Sequence, residues 1–309
     1  MNKKLSIIIL TYNSERDIYD CLQSVYRYND IGEALEIIIV DNNSKCFDTM
    51  QSKLKEEYPE VVVIPNANNG GYGHGNNVGI NASTAPIVAI MNPDVRLIMP
   101  VFGTMLKILE DENVIMCGGK QYANYDKAAL SYYYDHNAPA ILQSIGYLIH
   151  SKLDKYDYRR MWLSGAFFVI KKACFLQIGL FDERIFMYAE EFDIHTRLRR
   201  AFPHMKMIYL PQLKYLHLIE NRPITHEGAY KTYRSDIHVC KLLGYSPCLC
   251  ILRKKNALRI NMLIGTILSI LHGTSIDYSH YRTMMSALTQ LSNEYKHTNN
   301  SSDGISANK

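Results

Sequence analysis

The chain has 309 residues, of which 47% are hydrophobic and 21% are charged, and this is the composition of an ordinary globular protein. It excludes a disordered chain and a collagen-like repeat. The formal net charge of +4 is too small to predict a nucleic-acid partner, and it suits an anionic small substrate or an acidic membrane surface.

Four short apolar runs in the first third of the chain predict strands that are buried on both faces of a parallel sheet. They cover residues 5–10, 37–40, 61–64 and 87–91. Ile18, Cys21, Leu22 and Val25 have the spacing of a helix face between the first two runs, and a further helix is predicted after Pro100. Strands that alternate with helices indicate an α/β sheet, in which ligands bind beyond the carboxyl ends of the strands.

Polar residues follow each of the four runs, at the edge of the sheet where a site is expected. They are Thr11-Tyr12-Asn13, Asp41-Asn42-Asn43-Ser44, residues 65–69 and Asn92-Pro93-Asp94. Helix capping or turn formation explains any one of these loops. Four such loops at one sheet edge favour a binding site.

A glycine-rich segment over residues 69–79 leads into a helix predicted over residues 76–82. Glycine allows the backbone to approach a ligand closely, and the amides of a helix N-terminus can bind an anion. A flexible turn is the alternative. The segment matches neither the Walker phosphate loop nor the dinucleotide-binding fingerprint.

Asp94 and His217 are the candidate metal ligands. Asp94 provides a carboxylate oxygen of the kind that holds Mg²⁺ or Mn²⁺ together with phosphate oxygens, although a structural Asx turn has the same sequence. His217 follows a strand-like segment that starts at Met207, and it is either a packed residue or a further ligand.

Glu190, Glu191 and Asp193 lie at the start of a predicted helix. The helix dipole stabilises acidic residues at this position. Alternatively, one of the three carboxylates is a general base that takes a proton from an acceptor hydroxyl. Their spacing does not decide which one.

In chain order these motifs resemble those of the family-2 inverting glycosyltransferases of the GT-A fold, in particular the bacterial rhamnosyltransferase-like subgroup. The resemblance runs from Ser6 to His217 and includes Ser164-Gly165-Ala166 and Phe181-Asp182-Glu183. It implies a Rossmann-like, mostly parallel central sheet flanked by helices. Residues 1–98 would form the half that binds the nucleotide sugar, and residues 99–240 the acceptor-binding and catalytic half.

The resemblance also implies a role for each motif. Asp94 would hold Mg²⁺ or Mn²⁺ with His217. Glu191 stands where the family usually has an aspartate base, with Asp193 and Glu190 as the other catalytic candidates, and its extra methylene would shift the carboxylate by about 1.5 Å. The residues that would bind the donor are Thr11, Asn13, Asp41, Asn43, Asn69, Gly70, Gly71, Gly75, Asn77 and Asn92.

The implied reaction moves a sugar from a nucleotide-diphosphate donor to a saccharide acceptor, in the synthesis of a bacterial surface polysaccharide such as O-antigen or capsule. By resemblance the donor is dTDP-rhamnose, followed by UDP-hexoses or a galactofuranose donor. A nucleotidyltransferase is one rival interpretation, but its phosphate loop usually follows the first strand, where this chain has Thr11-Tyr12-Asn13. A non-catalytic protein that binds sugar nucleotides is the other.

A helical C-terminal extension is predicted over residues 241–297, and a disordered tail over residues 298–309. In the extension, basic residues from Arg253 to Arg259 precede the apolar residues 262–271. Such a helix either packs on the catalytic domain or lies in the interface of an anionic membrane. Membrane contact would suit a lipid-linked acceptor.

The sequence also predicts the location of the protein. No apolar run reaches the roughly 20 residues that cross a bilayer, and the start of the chain does not resemble a cleaved secretion signal. Seven cysteines, an odd number, indicate free thiols in a reducing cytoplasm. Zinc binding by His238, Cys240, Cys248 and Cys250 is disfavoured because their spacing fits no usual zinc pattern. We therefore expect a cytoplasmic protein in peripheral contact with the inner face of the cell membrane.

Overall fold

A computed structural model of the chain describes residues 2–218, 223–275 and 277–303. The chain divides into two compact units. The first consists of Met1–Tyr133 and Tyr156–Glu220, and the second of Tyr134–Lys155 and Asn221–Lys309. This division differs from the predicted boundary at residue 241.

The strands, in chain order, are β1 (Leu5–Thr11), β2 (Leu35–Asp41), β3 (Val62–Pro65), β4 (Ile87–Met91), β5 (Val95–Leu97), β6 (Val114–Asn124), β7 (Lys127–Ala128), β8 (Tyr132–Tyr134), β9 (Met161–Leu163), β10 (Phe167–Lys171) and β11 (Lys206–His217). The helices are α1 (Ile18–Arg27), α2 (Phe47–Glu57), α3 (Gly71–Ala82), α4 (Phe102–Leu109), α5 (Tyr147–Leu153), α6 (Lys172–Gln177), α7 (Glu190–Ala201), α8 (His226–Leu242), α9 (Pro247–His272) and α10 (Ser279–Asp303).

Within the described residues the central sheet has nine strands. Eight of them follow the order β3-β2-β1-β4-β10-β6-β11-β5, and β7 pairs with β6. β1 is parallel to β2 and β4, whereas β10 runs antiparallel to β4 and β11 runs antiparallel to β5. The start of β10 and the end of β4 therefore meet at one edge, since Phe167 pairs with Met91. At the same edge Thr11 pairs with Asp41.

The runs of β-branched residues explain the buried part of this sheet. Leu5, Ile7 and Ile9 of β1 pack with the predicted inner face of α1 in the core. β3 differs from the prediction of a strand buried on both faces, because it lies at the edge of the sheet and Val62 is 45% exposed. Residues 118–158 form a Tyr-rich stretch. Its central tyrosines are packed: Tyr132 is buried, and Tyr133 stacks on Trp162 with ring centroids 4.5 Å apart.

The second unit is helical, as predicted for the C-terminal extension, but it begins earlier because α8 packs on α9 and α10. Buried Lys254 of α9 donates a hydrogen bond from Nζ to Asp236 Oδ2 of α8 at 2.7 Å. Nζ of Lys254 also lies 3.1 Å from His136 Nδ1, which ties residues 134–155 to these helices. An unpaired charge buried at this depth would destabilise the fold. The contacts of Lys254 therefore hold α8, α9 and residues 134–155 together.

Two further predictions concern the end of the chain. The backbone of residues 298–303 continues α10, where a disordered tail was predicted, and residues 304–309 lie outside the described residues. No helix in the described part of the chain is both long and apolar enough to cross a membrane.

Candidate active site

Asp41 joins the loops that follow β1 and β2. Its Oδ2 accepts hydrogen bonds from Thr11 Oγ1 at 2.9 Å and from Ser44 Oγ at 2.6 Å, and its Oδ1 accepts one from Ser44 N at 2.7 Å. Ser44 Oγ accepts a hydrogen bond from Asn13 N at 2.7 Å. Thr11 and Asp41 have no exposed surface. Thr11, Asn13 and Asp41 therefore come together, but the Asp41 carboxylate supports the loops from beneath instead of facing an open surface.

Two predicted donor-binding asparagines form the exposed surface of these loops. Asn13 and Asn43 are both exposed, and both have left-handed backbones with φ of 52° and 65°. Asparagine tolerates this conformation better than most residues. Asn13 Oδ1 also accepts a hydrogen bond from Lys45 N at 3.1 Å, which closes the first loop onto the second.

Asn42, which the sequence did not single out, fixes the start of α3. Its side chain is buried, and Nδ2 donates to Gly71 O at 3.0 Å and to Asn69 Oδ1 at 3.3 Å. Asn69 Oδ1 also accepts a hydrogen bond from Gly71 N at 3.0 Å. The helix therefore starts at Gly71, before the predicted residue 76, with half-buried Gly70 preceding it.

The glycines of α3 serve helix packing, which corrects the predicted role of Gly75 in approaching a ligand. A Cβ at Gly75 would lie 2.2 Å from Leu10 Cδ1, and a Cβ at Gly79 would lie 2.4 Å from Ile8 Cγ2. Residues four apart share one helix face. That face lies against the sheet, so the missing side chains let the helix approach the strands closely.

Asn77 also has a different task from the predicted donor binding. Its Nδ2 donates to Phe181 O and to Glu183 Oε1, both at 3.0 Å, and its Oδ1 accepts from Phe181 N at 3.1 Å. These bonds use both the nitrogen and the oxygen of the side-chain amide. Asn77 therefore positions the segment from Phe181 to Glu183, and we no longer count it among the donor-binding residues.

Tyr72 lies where the predicted motifs converge, although the sequence analysis gave it no role. Its hydroxyl lies 3.3 Å from Asn92 Oδ1 and 3.1 Å from Gly165 O. Burial raises the pKa of Tyr72 well above its usual value, and the nearby charges of Glu191, Glu190 and Asp94 raise it further. Tyr72 therefore contacts both the Asn92-Pro93-Asp94 loop and Gly165, whose N–H donates to Glu191 Oε1. The sequence gives no indication that a tyrosine inside a glycine-rich segment contacts Asn92 and Gly165.

Asp94 and His217 are adjacent, as a shared metal site requires. His217 Nε2 lies 3.3 Å from Asp94 Oδ2, because β11 ends beside β5 and His217 pairs with Val95. Two neighbouring ligands of an octahedral ion at about 2.1 Å are about 3 Å apart, so the two side chains fit Mg²⁺ or Mn²⁺. No group of three or more His, Cys, Asp or Glu side chains suited to a metal occurs among the described residues. Other ligands would have to come from donor and solvent.

Glu191 packs directly on Gly165 of the loop before β10. Its Oε1 accepts a hydrogen bond from Gly165 N at 3.1 Å. A Cβ on residue 165 would lie 2.1 Å from that same oxygen. The Glu191 side chain is half-buried, so part of its surface faces solvent. The glycine thus makes room for a glutamate and orients its carboxylate.

Glu190 and Asp193, the other two catalytic candidates, are buried. Burial raises the pKa of Glu190 well above its usual value, and the charge of Glu191 adds to the shift. Its Oε1 has no hydrogen-bond partner among the described residues. Burial also raises the pKa of Asp193, but Arg197 opposes this shift with a hydrogen bond from Nε to Oδ2 at 2.8 Å. Asp193 is therefore paired with Arg197, whereas burial favours the protonated form of Glu190.

His195 supports Glu191 from one turn further along α7. His195 Nδ1 donates to Glu191 O at 2.7 Å, and Nε2 accepts from Leu163 N at 3.1 Å. Burial lowers the pKa of His195 to about 3, so the ring is neutral and the two bonds fix its tautomer. The sequence analysis missed this residue, because the contact joins segments that are distant along the chain.

A sequence model of glycosyl transferase family 2 matches residues 6–184, more than half of the chain. The chain belongs to this family. The match ends before α7, so it includes Asp41 and Asp94 but neither Glu191 nor His217. Family membership sets aside the nucleotidyltransferase interpretation.

Two curated relatives of this family-2 chain are glycosyltransferases by name. Low-salt glycan biosynthesis hexosyltransferase Agl10 of Haloferax volcanii is 27% identical over 241 residues, which are 74% of this chain and 72% of the relative. N-acetylglucosaminyl-diphospho-decaprenol L-rhamnosyltransferase of Mycobacterium tuberculosis is 24% identical over 246 residues, which are 70% of this chain and 76% of the relative.

A solved structure supports the fold. Mannosyltransferase PcManGT from Pyrobaculum calidifontis, in complex with GDP-Man and Mn²⁺, superposes with a TM-score of 0.60 at 17% identity. The superposition covers 94% of this chain and 86% of that chain. The GT-A fold expected from the sequence is confirmed, with a mixed sheet flanked by helices and a helical C-terminal region.

Proposed function

We propose that this family-2 glycosyltransferase moves a sugar from a nucleoside diphosphate to an acceptor hydroxyl in one displacement, with inversion at the anomeric carbon. The observation that carries the proposal is the contact of Tyr72 with both Asn92, two residues before Asp94, and Gly165, whose N–H donates to Glu191. Asp94 in turn lies beside His217. A single displacement needs one general base and no covalent nucleophile.

Glu191 is the proposed base. Of the three acidic residues at the start of α7, it alone keeps a partly exposed side chain. Gly165 N–H orients its carboxylate, and the raised pKa of Glu190 disfavours a second negative charge beside it. The carboxylate takes the proton of the acceptor hydroxyl, whose oxygen bonds to the anomeric carbon as the bond to the diphosphate breaks. The electron pair of that bond leaves with the diphosphate.

Asp94 and His217 are the residues we propose to hold Mg²⁺ or Mn²⁺. A bound divalent ion stabilises the negative charge that develops on the leaving diphosphate. An imidazole nitrogen and a carboxylate oxygen are suitable ligands for Mn²⁺. The glycosyltransferase from Pyrobaculum calidifontis was solved with Mn²⁺, which supports the same choice here.

The donor we propose is dTDP-rhamnose, and the acceptor a lipid-linked saccharide of a bacterial surface polysaccharide. The rhamnosyltransferase relative from Mycobacterium tuberculosis, whose name includes a diphospho-decaprenol, supports both choices. A UDP-hexose donor is the second candidate, favoured by the hexosyltransferase relative from Haloferax volcanii. The residues we still propose to contact the donor are Asn13, Asn43, Asn69, Gly70, Gly71 and Asn92. Buried Thr11 and Asp41 instead support these loops from beneath.

We also propose that the second unit contacts the anionic inner face of the cell membrane, with the protein in the cytoplasm. The C-terminal half of α9 exposes large apolar side chains, among them Leu263 and Ile267. The basic residues Arg253, Lys255 and Arg259 lie on the same helix. This combination is typical of helices that bind the interface of anionic membranes.

Replacement of Glu191 by Gln tests the base. We expect Glu191→Gln to lower the rate of nucleotide release from dTDP-rhamnose, or from whichever UDP-hexose proves active, by roughly 10²- to 10⁴-fold. Donor affinity, measured by calorimetry with Mn²⁺, should stay near that of the wild type. The matched control is Glu112→Gln on an exposed turn, which should keep full activity. Full activity of Glu191→Gln would remove the base assignment, and absence of nucleotide release from every donor would favour a non-catalytic binding protein.

A further inference from the structure

Residues of α8, α9 and α10 line an open cavity of about 630 Å³ within the second unit. Nothing in the proposed transfer reaction uses it. Its lining combines positively charged and apolar side chains, including His226, Leu258, Arg259, Met262, Arg282 and Met285. This volume is in the range of small-molecule sites.

The charged part of the cavity is positive. The Arg282 side chain forms no hydrogen bond or ion pair with the described residues. Hydrogen bonds from Ser279 lower the pKa of Asp277, and the charge of Arg282 adds a smaller contribution. Arg259 donates one hydrogen bond, to Asn256 Oδ1 at 2.8 Å. Guanidinium groups with donors to spare bind phosphate oxygens in pairs.

The surroundings of the cavity are positive as well. No acidic residue occurs in the sequence from 237 to 276, whereas this stretch includes Lys241, Arg253, Lys254, Lys255 and Arg259. Burial, together with the charges of Arg259 and Lys296, holds the pKa of Lys255 below its usual value. An anion at this place would therefore be attracted by the whole stretch.

The apolar part of the cavity continues along α9. Leu258 is buried at the wall of the cavity, and Met262, one turn later, is 39% exposed. Beyond Met262 the helix exposes 60% of the surface of Leu263, 48% of that of Ile267 and 73% of that of Leu271. A hydrocarbon chain that begins in the cavity could therefore contact apolar side chains as far as the end of α9.

We propose that this cavity binds a phosphate-bearing lipid, with Arg259 and Arg282 on the phosphate and the hydrocarbon chain against Leu258, Met262 and Met285. The charge of the arginines and the apolar wall together select this ligand, since neither a free anion nor an uncharged hydrocarbon uses both. The proposal rests on the proposed function in one respect: the transfer reaction would use the lipid as the carrier of the acceptor. Binding itself depends on α8, α9 and α10 alone.

Calorimetry with farnesyl diphosphate tests the site. The compound is used below its critical micelle concentration and without divalent metal, alongside farnesol and inorganic diphosphate. We expect farnesyl diphosphate to bind at least about tenfold more tightly than either fragment, because a charge-assisted contact and an apolar contact each contribute. Arg282→Gln and Arg259→Gln should each weaken its binding about tenfold. Arg234→Gln, an exposed arginine of α8 outside the cavity lining, is the matched control and should bind like the wild type.

Several outcomes would overturn the site. Unchanged affinity in both cavity variants would place the ligand elsewhere. Equal affinity for inorganic diphosphate would reduce the cavity to a simple anion site, and equal affinity for farnesol would reduce it to an apolar patch. Thermal melting of each variant checks that it is folded. Release of nucleotide by the wild type with water as acceptor needs no lipid, so it tests the proposed function separately.

Discussion

At the residue scale, the contact between Gly165 and Glu191 explains how this chain has a glutamate where the family usually has an aspartate. The longer side chain needs space, and the missing Cβ of residue 165 supplies it, since a Cβ there would lie 2.1 Å from Glu191 Oε1. The same oxygen accepts the hydrogen bond from Gly165 N. Gly165 therefore both leaves room for the glutamate side chain and orients its carboxylate.

Replacement of Gly165 by Ala should move the Glu191 carboxylate without unfolding the chain. The backbone at Gly165 is not left-handed, so it accepts an alanine. We expect Gly165→Ala to lower kcat about 10²-fold, because displacement of a catalytic group by about 1 Å has an effect of this size. Adding Glu191→Asp shortens the side chain and should restore part of the lost rate. Steady-state kinetics of the single and double variants measure this coupling. Wild-type kcat in Gly165→Ala would contradict it.

Glu190 gives the protein a pH dependence of stability that a glutamine would remove. An unfolded glutamate has a pKa of about 4.3, and burial raises the pKa of Glu190 well above that in the folded chain. The stabilisation is therefore complete below pH of about 4.3 and is lost as the pH rises through the folded pKa. Relative to Glu190→Gln, the wild-type free energy of unfolding should fall with rising pH by up to about 1.4 kcal/mol per pH unit. Urea denaturation across this range measures it, and a constant difference would refute the buried neutral carboxyl.

The sequence identified the charged residues of the site more readily than their neutral partners. Asp94 and His217 each ended a predicted strand or loop, and the sheet places His217 Nε2 at 3.3 Å from Asp94 Oδ2. Tyr72, Asn42 and His195 have equally specific contacts, but each makes at least one of them with a segment far away in the sequence. Amides and aromatic rings occur in so many packed positions that residue type alone does not reveal such contacts.

At the element scale, α3 is a helix that packing stabilises in spite of its sequence. Gly71, Gly73, Gly75 and Gly79 all lower its intrinsic helix propensity. Gly75 and Gly79 lie against Leu10 and Ile8 of β1, where any larger side chain would push the helix away. The approach of α3 to the sheet also sets the position of Tyr72.

Substitution of Gly79 by Ala should therefore destabilise the chain, although alanine is the better helix former. A Cβ at residue 79 would lie 2.4 Å from Ile8 Cγ2, and Ile8 is fully buried and unable to give way cheaply. We expect a loss of roughly 1–3 kcal/mol in the free energy of unfolding, measured in urea. Gly228→Ala at the exposed start of α8 is the control, because its Cβ would meet only the exposed Thr225 side chain, 3.2 Å from Oγ1, and this side chain can shift. Equal stability of both variants would contradict the packing role.

Sequence patterns predicted the elements with strong periodicity and missed those whose form depends on tertiary contacts. β1, β2 and β4 contain dense β-branched runs, and the structure extends the predicted ranges by no more than a few residues. The predicted start of α3 was too late, because two side-chain contacts define it: Asn42 Nδ2 donates to Gly71 O, and Asn69 Oδ1 accepts from Gly71 N. The strand β8 and the helix α5 lie in a Tyr-rich stretch with no clear period, so packing alone reveals them.

At the scale of the whole molecule, the chain combines a family-2 glycosyltransferase fold with a positively charged helical unit. The boundary between the units could not be read from composition, since α8 resembles the helices of the first unit in its mixture of polar and apolar residues. Its contact with α9 through Asp236 and Lys254 assigns it to the second unit. The long stretch without acidic residues, in contrast, is visible in the sequence and predicts an anionic partner.

The end of α9 provides the test of membrane contact. Ile270 and Leu271 are 75% and 73% exposed, so replacing both by Glu changes the surface and leaves the core intact. Each large aliphatic side chain contributes about 1.5–3 kcal/mol when it leaves water, and an added carboxylate is repelled by anionic lipid. The double variant Ile270→Glu, Leu271→Glu should therefore lose at least about tenfold in binding to phosphatidylglycerol vesicles, measured by flotation. Tyr125→Glu, at a site 76% exposed in the first unit, is the control and should float like the wild type. If the double variant floats equally well, α9 does not contact the membrane through its apolar end.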